Sequence, residues 1–176
     1  GVGPVRTGVT FNPSGSTANV TNQLEGGAGV IDVATSRQVA SIPLGGTHPY
    51  VTFVTPDGSK LYIAGNGTKI FVMNTETRTV MGTVDVGASP NGVALAPGDT
   101  VLYVTASWGG TISEIDVRTD AVLRTFTPGG MPQGVVVSRD GEELYVANEH
   151  GWLDVYSLAS GQRIERVQLA GGRFGM

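Results

Sequence analysis

The sequence contains no cysteine, and this absence excludes disulfide bonds and thiolate metal sites. Charge is scarce as well, because only 15% of the 176 residues are Asp, Glu, Lys or Arg, and the net charge is −4. A mildly acidic chain gives no electrostatic argument for binding nucleic acid or anionic membranes. No apolar run reaches the length of about 18 residues that a transmembrane helix needs, so membrane insertion is not predicted.

Helical periodicity is also missing, since no segment of ten or so residues repeats its apolar positions at the α-helical spacing. The composition is nevertheless that of a globular protein, with 40% hydrophobic residues. Glycine accounts for 27 residues, roughly twice its usual share of about 7%. These features predict an all-β protein with many tight turns.

A turn motif recurs along the chain at an almost constant interval. Its four copies, Pro-Ser-Gly-Ser, Pro-Asp-Gly-Ser, Pro-Gly-Asp-Thr and Arg-Asp-Gly-Glu, begin at Pro13, Pro56, Pro97 and Arg139. Successive copies lie 43, 41 and 42 residues apart. A fixed period of about 40 residues is typical of β-propeller blades, in which each repeat forms one four-stranded antiparallel sheet.

Each repeat reads as four short strands separated by turn signals. The first strand is expected to be innermost and buried on both faces, because Val135, Val136 and Val137 are consecutive apolar residues. The turn that follows should place Gly58 and Gly141 at positive φ. A turn opened by Asp, Asn or Ser precedes the fourth strand, and its side-chain oxygen is expected to bond the backbone ahead. Charge and proline in the fourth strand place it at the outer rim.

We predict a single propeller array over residues 1–176. Its blades cover approximately residues 5–45, 46–87, 88–129 and 130–171, and residues 172–176 begin a further blade. We expect either a piece of a longer propeller or one half of a ring that a second copy closes about a two-fold axis. A closed four-bladed ring is the third expectation. An open arc would leave apolar blade faces in water, and these are a predicted association surface.

The segment Tyr145-Val146-Ala147-Asn148, its sister segments, the preceding Pro-x-Gly and the Pro-Asp-Gly turn resemble the YVTN-type β-propeller repeat. The resemblance covers essentially the whole chain, and the first copy departs most, with Asn19 in place of the usual tyrosine. It implies a β-propeller fold. It also implies a bacterial or archaeal protein of the periplasm or cell surface, a class with many different roles.

The candidate binding residues lie in loops that a propeller would gather at one mouth of its central channel. The alternative is that each is a solvated loop residue. Trp108 is the strongest single candidate, because an exposed tryptophan is a good binding anchor, whereas Trp152 aligns with the start of a buried strand. Glu25, Asn66, Ser107, Met131 and Glu149 would lie on the same face. The candidate set is Arg6, Asn22, His48, Asn91, Trp108, Gln133, Asn148, His150 and Arg173.

No constellation of residues points to catalysis, a cofactor or a metal. His48 and His150 are the only histidines and lie two blades apart, whereas metal sites need three or four converging ligands. A Glu149–His150 acid/base pair would lack an identifiable nucleophile or orienting partner. The paired glycines are followed by strands rather than helices, which is unlike a phosphate-binding loop.

Two functions follow from this pattern. The first is a non-enzymatic scaffold or binding propeller, whose loops at the channel mouth take a protein or a small-molecule ligand. The alternative is the propeller domain of an enzyme, because propellers that resemble this one include lactone hydrolases, lyases and subunits of quinone-dependent dehydrogenases. The catalytic residues or the partner would then lie outside this chain. In both cases we expect association with further blades or with a second copy.

Overall fold

The computed structural model describes residues 8–45 and 48–169, which form four antiparallel four-stranded sheets. Each strand pairs with the next strand along the chain, as in a propeller blade. No helix occurs among the described residues. The predicted fold class, all-β with four-stranded propeller blades, is confirmed.

The strand bounds show the same order in every sheet. Blade 1 consists of β1 (Val9–Phe11), β2 (Thr17–Asn22), β3 (Gly27–Asp32) and β4 (Arg37–Pro43). Blade 2 consists of β5 (Pro49–Val54), β6 (Lys60–Gly65), β7 (Lys69–Asn74) and β8 (Thr79–Asp85). Blade 3 consists of β9 (Pro90–Leu95), β10 (Val101–Ala106), β11 (Thr111–Asp116) and β12 (Val122–Phe126). Blade 4 consists of β13 (Pro132–Val137), β14 (Glu143–Asn148), β15 (Trp152–Ser157) and β16 (Arg163–Gln168).

The chain divides into two compact units, Gly1–Asp85 with blades 1 and 2, and Val86–Met176 with blades 3 and 4. Each unit has its own apolar core between its two sheets. The core of the first unit contains Val30, Ile42, Leu44, Leu61, Ile63 and Met73. The core of the second unit contains Tyr103, Ile112, Phe126, Leu144, Val146 and Tyr156.

The turns between the first two strands of a blade have the predicted backbone geometry. Gly58 and Gly141 adopt φ values of 74° and 76°. Their amides donate to the carbonyl oxygens of Thr55 at 2.8 Å and Ser138 at 3.0 Å. Glycine reaches this left-handed region without the steric cost that a β-carbon imposes, which explains its place in these turns.

A second glycine position, at the start of the inner strand, exists for packing rather than for φ. A β-carbon on Gly8 would lie 2.5 Å from the carbonyl oxygen of Tyr50 on the next inner strand. A β-carbon on Gly92 would overlap the carbonyl oxygen of Gln133 in the same way. Gly134 holds the same place in blade 4, but among the described residues its nearest neighbour would be the Ala147 β-carbon at 3.9 Å.

The prediction that the inner strand buries both faces is wrong for blade 4. Val135 is buried against blade 3, whereas the next residue, Val136, is 60% exposed. Consecutive strand residues point to opposite faces. The face of blade 4 that carries Val136 has no covering sheet within the described part of the second unit.

The turn before the fourth strand is closed by a side chain, as predicted. Oδ1 of Asp32 accepts the backbone amide of Thr35 at 2.7 Å and its hydroxyl at 2.6 Å. Oδ1 of Asp116 accepts the same two groups of Thr119 at 2.6 and 2.8 Å. The Thr35 and Thr119 hydroxyls and amides lower the pKa values of the two aspartates, because they stabilise the ionised form.

These pKa shifts predict a loss of stability in acid. A carboxyl whose pKa is lower in the folded state stabilises the fold above its unfolded pKa of about 3.9, and this contribution disappears as the pH falls through the folded pKa. We therefore expect the Asp32→Asn/Asp116→Asn variant to lose less unfolding free energy than wild type between about pH 5 and pH 3. Asn74 already bonds Thr77 in the same way at 2.8 and 3.0 Å, so an amide fits this turn.

Urea unfolding at the two pH values measures this difference. Asp57 and Asp140 also have lowered pKa values, caused first by the Thr55 and Ser138 hydroxyls, so part of the acid sensitivity should persist in the double variant. An identical decrease in wild type and variant would contradict the assignment.

Candidate binding site

One end of blades 3 and 4 brings two kinds of loop together. The loop after β10 bonds to the segment that enters β9, with the amide of Ser107 donating to the carbonyl oxygen of Ser89 at 2.9 Å. The loop after β14 repeats this contact through Glu149 and Met131 at 3.0 Å. The loops therefore lie beside the starts of the inner strands, which is the arrangement expected at a channel mouth.

Four polar side chains form a continuous chain of hydrogen bonds across this end, and we call them the mouth ladder: Ser107, Asn91, Gln133 and Glu149. Asn91 donates to the side-chain oxygen of Gln133 and lies 3.4 Å from the Ser107 hydroxyl. Gln133 donates to Oε1 of Glu149 at 2.7 Å. The ladder links blade 3 to blade 4 and includes two of the predicted binding residues, Asn91 and Gln133.

Burial changes along the ladder. Ser107 is only 2% exposed and donates to the carbonyl oxygen of Pro132 at 2.9 Å. Asn91 and Gln133 are half-buried, and Glu149 is exposed. The ladder thus has a buried, fixed end and a solvent-facing end with a carboxylate. Among the described residues, Glu149 accepts a side-chain hydrogen bond at Oε1, from Gln133, so Oε2 offers an acceptor to solvent or ligand.

Asn148 is buried, and its side chain shapes the loops. Its Oδ1 accepts the amides of Met131 and His150, both at 3.1 Å, and its Nδ2 donates to the carbonyl oxygen of Gly129 at 2.9 Å. All three contacts are with backbone groups of the loops, and such groups need hydrogen-bond partners where they are buried. Asn148 therefore holds the two loops of blade 4 together and presents no polar group outward.

The two tryptophans occupy different environments. Trp108 follows Ser107 in the loop after β10 and is 75% exposed. Trp152 begins β15, where its indole nitrogen donates to Asp154 at 3.1 Å and the guanidinium of Arg166 lies 4.2 Å above its ring. His150 is exposed and meets the Trp152 ring edge-on at 5.3 Å. Of the two tryptophans, Trp108 is therefore the one that presents a large apolar surface next to the mouth ladder.

Two predicted binding residues of the first unit, Asn22 and His48, contact backbone groups of the loop after β2. Asn22 accepts the amide of Glu25 at 3.2 Å and so closes the loop after β2. Nδ1 of His48 lies 3.0 Å from the carbonyl oxygen of Gln23 in the same loop. Two further predicted residues, Arg6 and Arg173, lie outside the described residues. The mouth ladder therefore involves blades 3 and 4 alone among the described blades.

Sequence reasoning missed two ion pairs that join the third and fourth strands. Arg166 contacts both oxygens of the fully buried Asp154, at 2.6 and 2.8 Å, and Arg124 contacts Glu114 at 2.6 and 2.8 Å. The fourth strand is an edge strand of its sheet, in line with its predicted place at the outer rim, but the sequence analysis did not indicate that Arg124 and Arg166 on this strand pair with carboxylates. The available signal was an acid in the third strand and an arginine about ten residues later, which an antiparallel pair brings opposite each other.

Both arginines also reach a neighbouring blade. Nη2 of Arg124 donates to the carbonyl oxygen of Leu158 at 2.9 Å, and Nη2 of Arg166 donates to that of Pro128 at 3.2 Å. Burial and the nearby Glu114 carboxylate raise the pKa of Tyr103, which lies in the same contact region, to about 12. These charges therefore hold blades 3 and 4 together.

No cluster of three or more His, Asp or Glu side chains suited to a metal ion occurs within residues 8–45 and 48–169. Over the same residues there is no helix with the length and apolar character required to cross a bilayer.

Comparison with known proteins identifies the fold. No family model matches the chain, and no curated protein matches its sequence. The structure is similar to that of Kuenenia stuttgartiensis hydrazine synthase, with a TM-score of 0.85 and 24% identity over 94% of this chain and 49% of the other. It is also similar to U3-55K, with a TM-score of 0.78 and 16% identity over 93% of this chain and 52% of the other.

This chain thus spans about half the length of each of these two proteins. At such low identity the likeness establishes a propeller-type fold and carries no residue-level chemistry, since unrelated functions share such folds. The function has to be argued from the site itself.

Proposed function

We propose that this chain is a non-enzymatic binding module that takes a ligand at the mouth ladder. The observation that carries the proposal is the hydrogen-bonded series Ser107–Asn91–Gln133–Glu149. It ends in an exposed carboxylate at Glu149, and its other end, Ser107, directly precedes the exposed Trp108. The buried end fixes the amides in place. A pre-organised set of polar groups next to an aromatic surface binds with little ordering cost.

The chemistry of the ladder defines the kind of ligand. Glu149 accepts hydrogen bonds, and the amides of Asn91 and Gln133 both donate and accept them. Trp108 adds a flat apolar surface of the type found in binding hot spots. Peptide segments and saccharides both combine hydrogen-bonding groups with an apolar face, and they are the ligand classes that this surface fits.

A peptide library and a glycan array, probed with the purified chain, test this function. For a ligand found in either screen, we expect Trp108→Ala to weaken binding by about 30-fold or more, the scale of a hot-spot residue. Gln133→Ala should weaken it by about tenfold, because the Glu149 carboxylate loses the donor that orients it.

The matched control is Gln162→Ala, which removes an exposed glutamine from the turn between β15 and β16. Its affinity for the same ligand should equal that of wild type. Unchanged binding in both Trp108→Ala and Gln133→Ala would place the ligand elsewhere and refute the proposed site.

We also propose that the protein is a YVTN-type propeller of the periplasm or cell surface. The support is the Tyr-Val-Ala-Asn segment at residues 145–148 and its recurrence in the other repeats. Fractionation of the native cells, followed by immunoblotting, tests the location, and recovery in the cytoplasm alone would contradict it.

A further inference from the structure

The contact between blades 3 and 4 shows which residues meet when two blades pack, and we use it as a template for the uncovered sides of blades 4 and 1. On the side of blade 3, Tyr103 and Phe126 face blade 4. On the side of blade 4, Val135, Val137 and Tyr156 face blade 3, and the Phe126 and Tyr156 rings meet edge-on at 5.4 Å. Leu158, in the turn after β15, adds to the same core.

The other side of blade 4 repeats the blade 3 half of this template. Val136, Tyr145 and Val167 hold the positions of Ala94, Tyr103 and Phe126. Val136 is 60% exposed and Val167 is 40% exposed, and no sheet formed by residues 86–169 covers them. We call this side, defined by Val136, Tyr145 and Val167, the tail face.

Blade 1 repeats the blade 4 half on the side turned away from blade 2. Val9, Phe11, Ile31 and Val33 hold the positions of Val135, Val137, Tyr156 and Leu158. The equivalence extends to the backbone, because the Val33 amide bonds Ser16 at 3.0 Å and the Leu158 amide bonds Glu142 at 2.8 Å. We call this side, defined by Val9, Phe11, Ile31 and Val33, the head face.

The head face carries exposed apolar residues at the positions that are covered in blade 4. Val9 is 62%, Phe11 56% and Val33 41% exposed. A groove of about 350 Å³ lies along the same side and includes Val20, Gly29 and Ile31. Single exposed apolar residues are common, but a contiguous set at contact positions indicates an interaction surface.

Gly134 supplies independent support at the tail face. In blades 1 and 3 the equivalent glycines admit the backbone of the next inner strand, whereas the space at Gly134 is open among the described residues. Its φ is not positive, so backbone conformation does not require glycine here. An inner strand docked beside β13 would use that space.

We propose that the tail face of one copy docks on the head face of a second copy. The tail face of blade 4 and the head face of blade 1 correspond to the two halves of the template, so they are complementary by internal repetition, and the contact between the two copies is heterologous. By the template, Val167 of one copy meets Ile31 of the other. Glu165 stands at the position of Arg124, so the contact rests on the apolar residues and the inner strands and does not repeat the bond to Leu158.

Cross-linking of the full chain tests this arrangement directly. The native sequence has no cysteine, so introduced thiols are the only ones present. We expect a bis-maleimide to link Val167→Cys chains to Ile31→Cys chains in a mixture. Neither variant should cross-link with itself, because the proposed contact brings position 167 of one copy to position 31 of the other and does not bring two identical positions together.

Association itself is measured by light scattering at micromolar concentration, where wild type should have the mass of at least two chains. Val136→Asp should raise the dissociation constant by about tenfold or more, since it buries a charge. The control is Leu123→Asp, at a residue that is 55% exposed at the β12 bulge and lies outside both faces. Circular dichroism confirms that each variant is folded.

A monomeric wild type would overturn the proposal, and so would self-linking of either cysteine variant without linking in the mixture. Dissociation by Leu123→Asp but not by Val136→Asp would also overturn it. None of these results depends on the mouth ladder, so the ligand-binding function and the docking contact are tested separately.

Discussion

Replacing Gly92 with alanine is expected to destabilise the second unit by at least about 3 kcal/mol, the upper end of overpacking penalties. The new β-carbon would overlap the Gln133 carbonyl oxygen and lie 2.8 Å from the Thr105 hydroxyl. The Thr105 hydroxyl accepts a hydrogen bond from the Gly92 amide at 2.7 Å and donates one to the Gln133 carbonyl oxygen at 2.7 Å. Because these bonds hold both groups in place, neither can move away from the new β-carbon. Urea unfolding followed by tryptophan fluorescence measures the loss.

Gly134→Ala is the matched control, because it makes the same change at the same place in the repeat. Its β-carbon would touch only Ala147, so we expect the unfolding free energy to stay within about 0.5 kcal/mol of wild type. The comparison should be made at a concentration where wild type is monomeric, so that docking does not contribute. Equal effects at Gly92 and Gly134 would refute the role assigned to close strand approach.

Replacing Arg166 with methionine is expected to destabilise the same unit by about 3 kcal/mol, because it leaves a buried carboxylate without its main partner. Asp154 is fully buried and receives two hydrogen bonds from Arg166. Arg163, at 3.6 Å, compensates only in part because its side chain is 42% exposed. The removed guanidinium also stacked on Trp152.

Two further variants show whether the buried charge of Asp154 causes the destabilisation expected for Arg166→Met. Arg124→Met should cost less, about 1 to 2 kcal/mol, because its partner Glu114 keeps 13% of its side chain exposed to water. Adding Asp154→Asn to Arg166→Met should recover part of the lost stability, since the charge is gone and an oxygen is kept for the Trp152 indole. A double variant less stable than Arg166→Met would show that lost packing, not charge, dominates.

The repeat and its turns could be predicted because they depend on local properties of the chain. Positive φ at Gly58 and Gly141 follows from turn chemistry within four residues, and the Asp32 and Asp116 turns follow from one side chain reaching three residues ahead. Because the turn motif recurs at a fixed period, the sequence predicts one sheet for each of the four repeats. Each strand pairs with the next strand along the chain, so the strand order of each sheet could be predicted without knowing any long-range contact.

The burial of individual side chains was harder to predict, because it depends on what covers a sheet. Val135 and Val136 are the same residue type in the same strand, yet one is buried and the other is 60% exposed. Arg166 was predicted to lie on the outer strand, but only the pairing of that strand with β15 shows that it meets the buried Asp154 and reaches blade 3. Sequence gives the residue and its face; the neighbouring blade decides its environment.

The candidate site shows the same division. The sequence by itself determined which loops gather at the mouth, and so named Asn91, Gln133 and Asn148 as candidates. Only the tertiary structure decided their roles. Asn91 and Gln133 are 42 residues apart and meet because adjacent blades align their repeats, whereas Asn148 turns inward to satisfy backbone groups. Hydrogen bonds between blades depend on three-dimensional distance, which no local sequence pattern encodes.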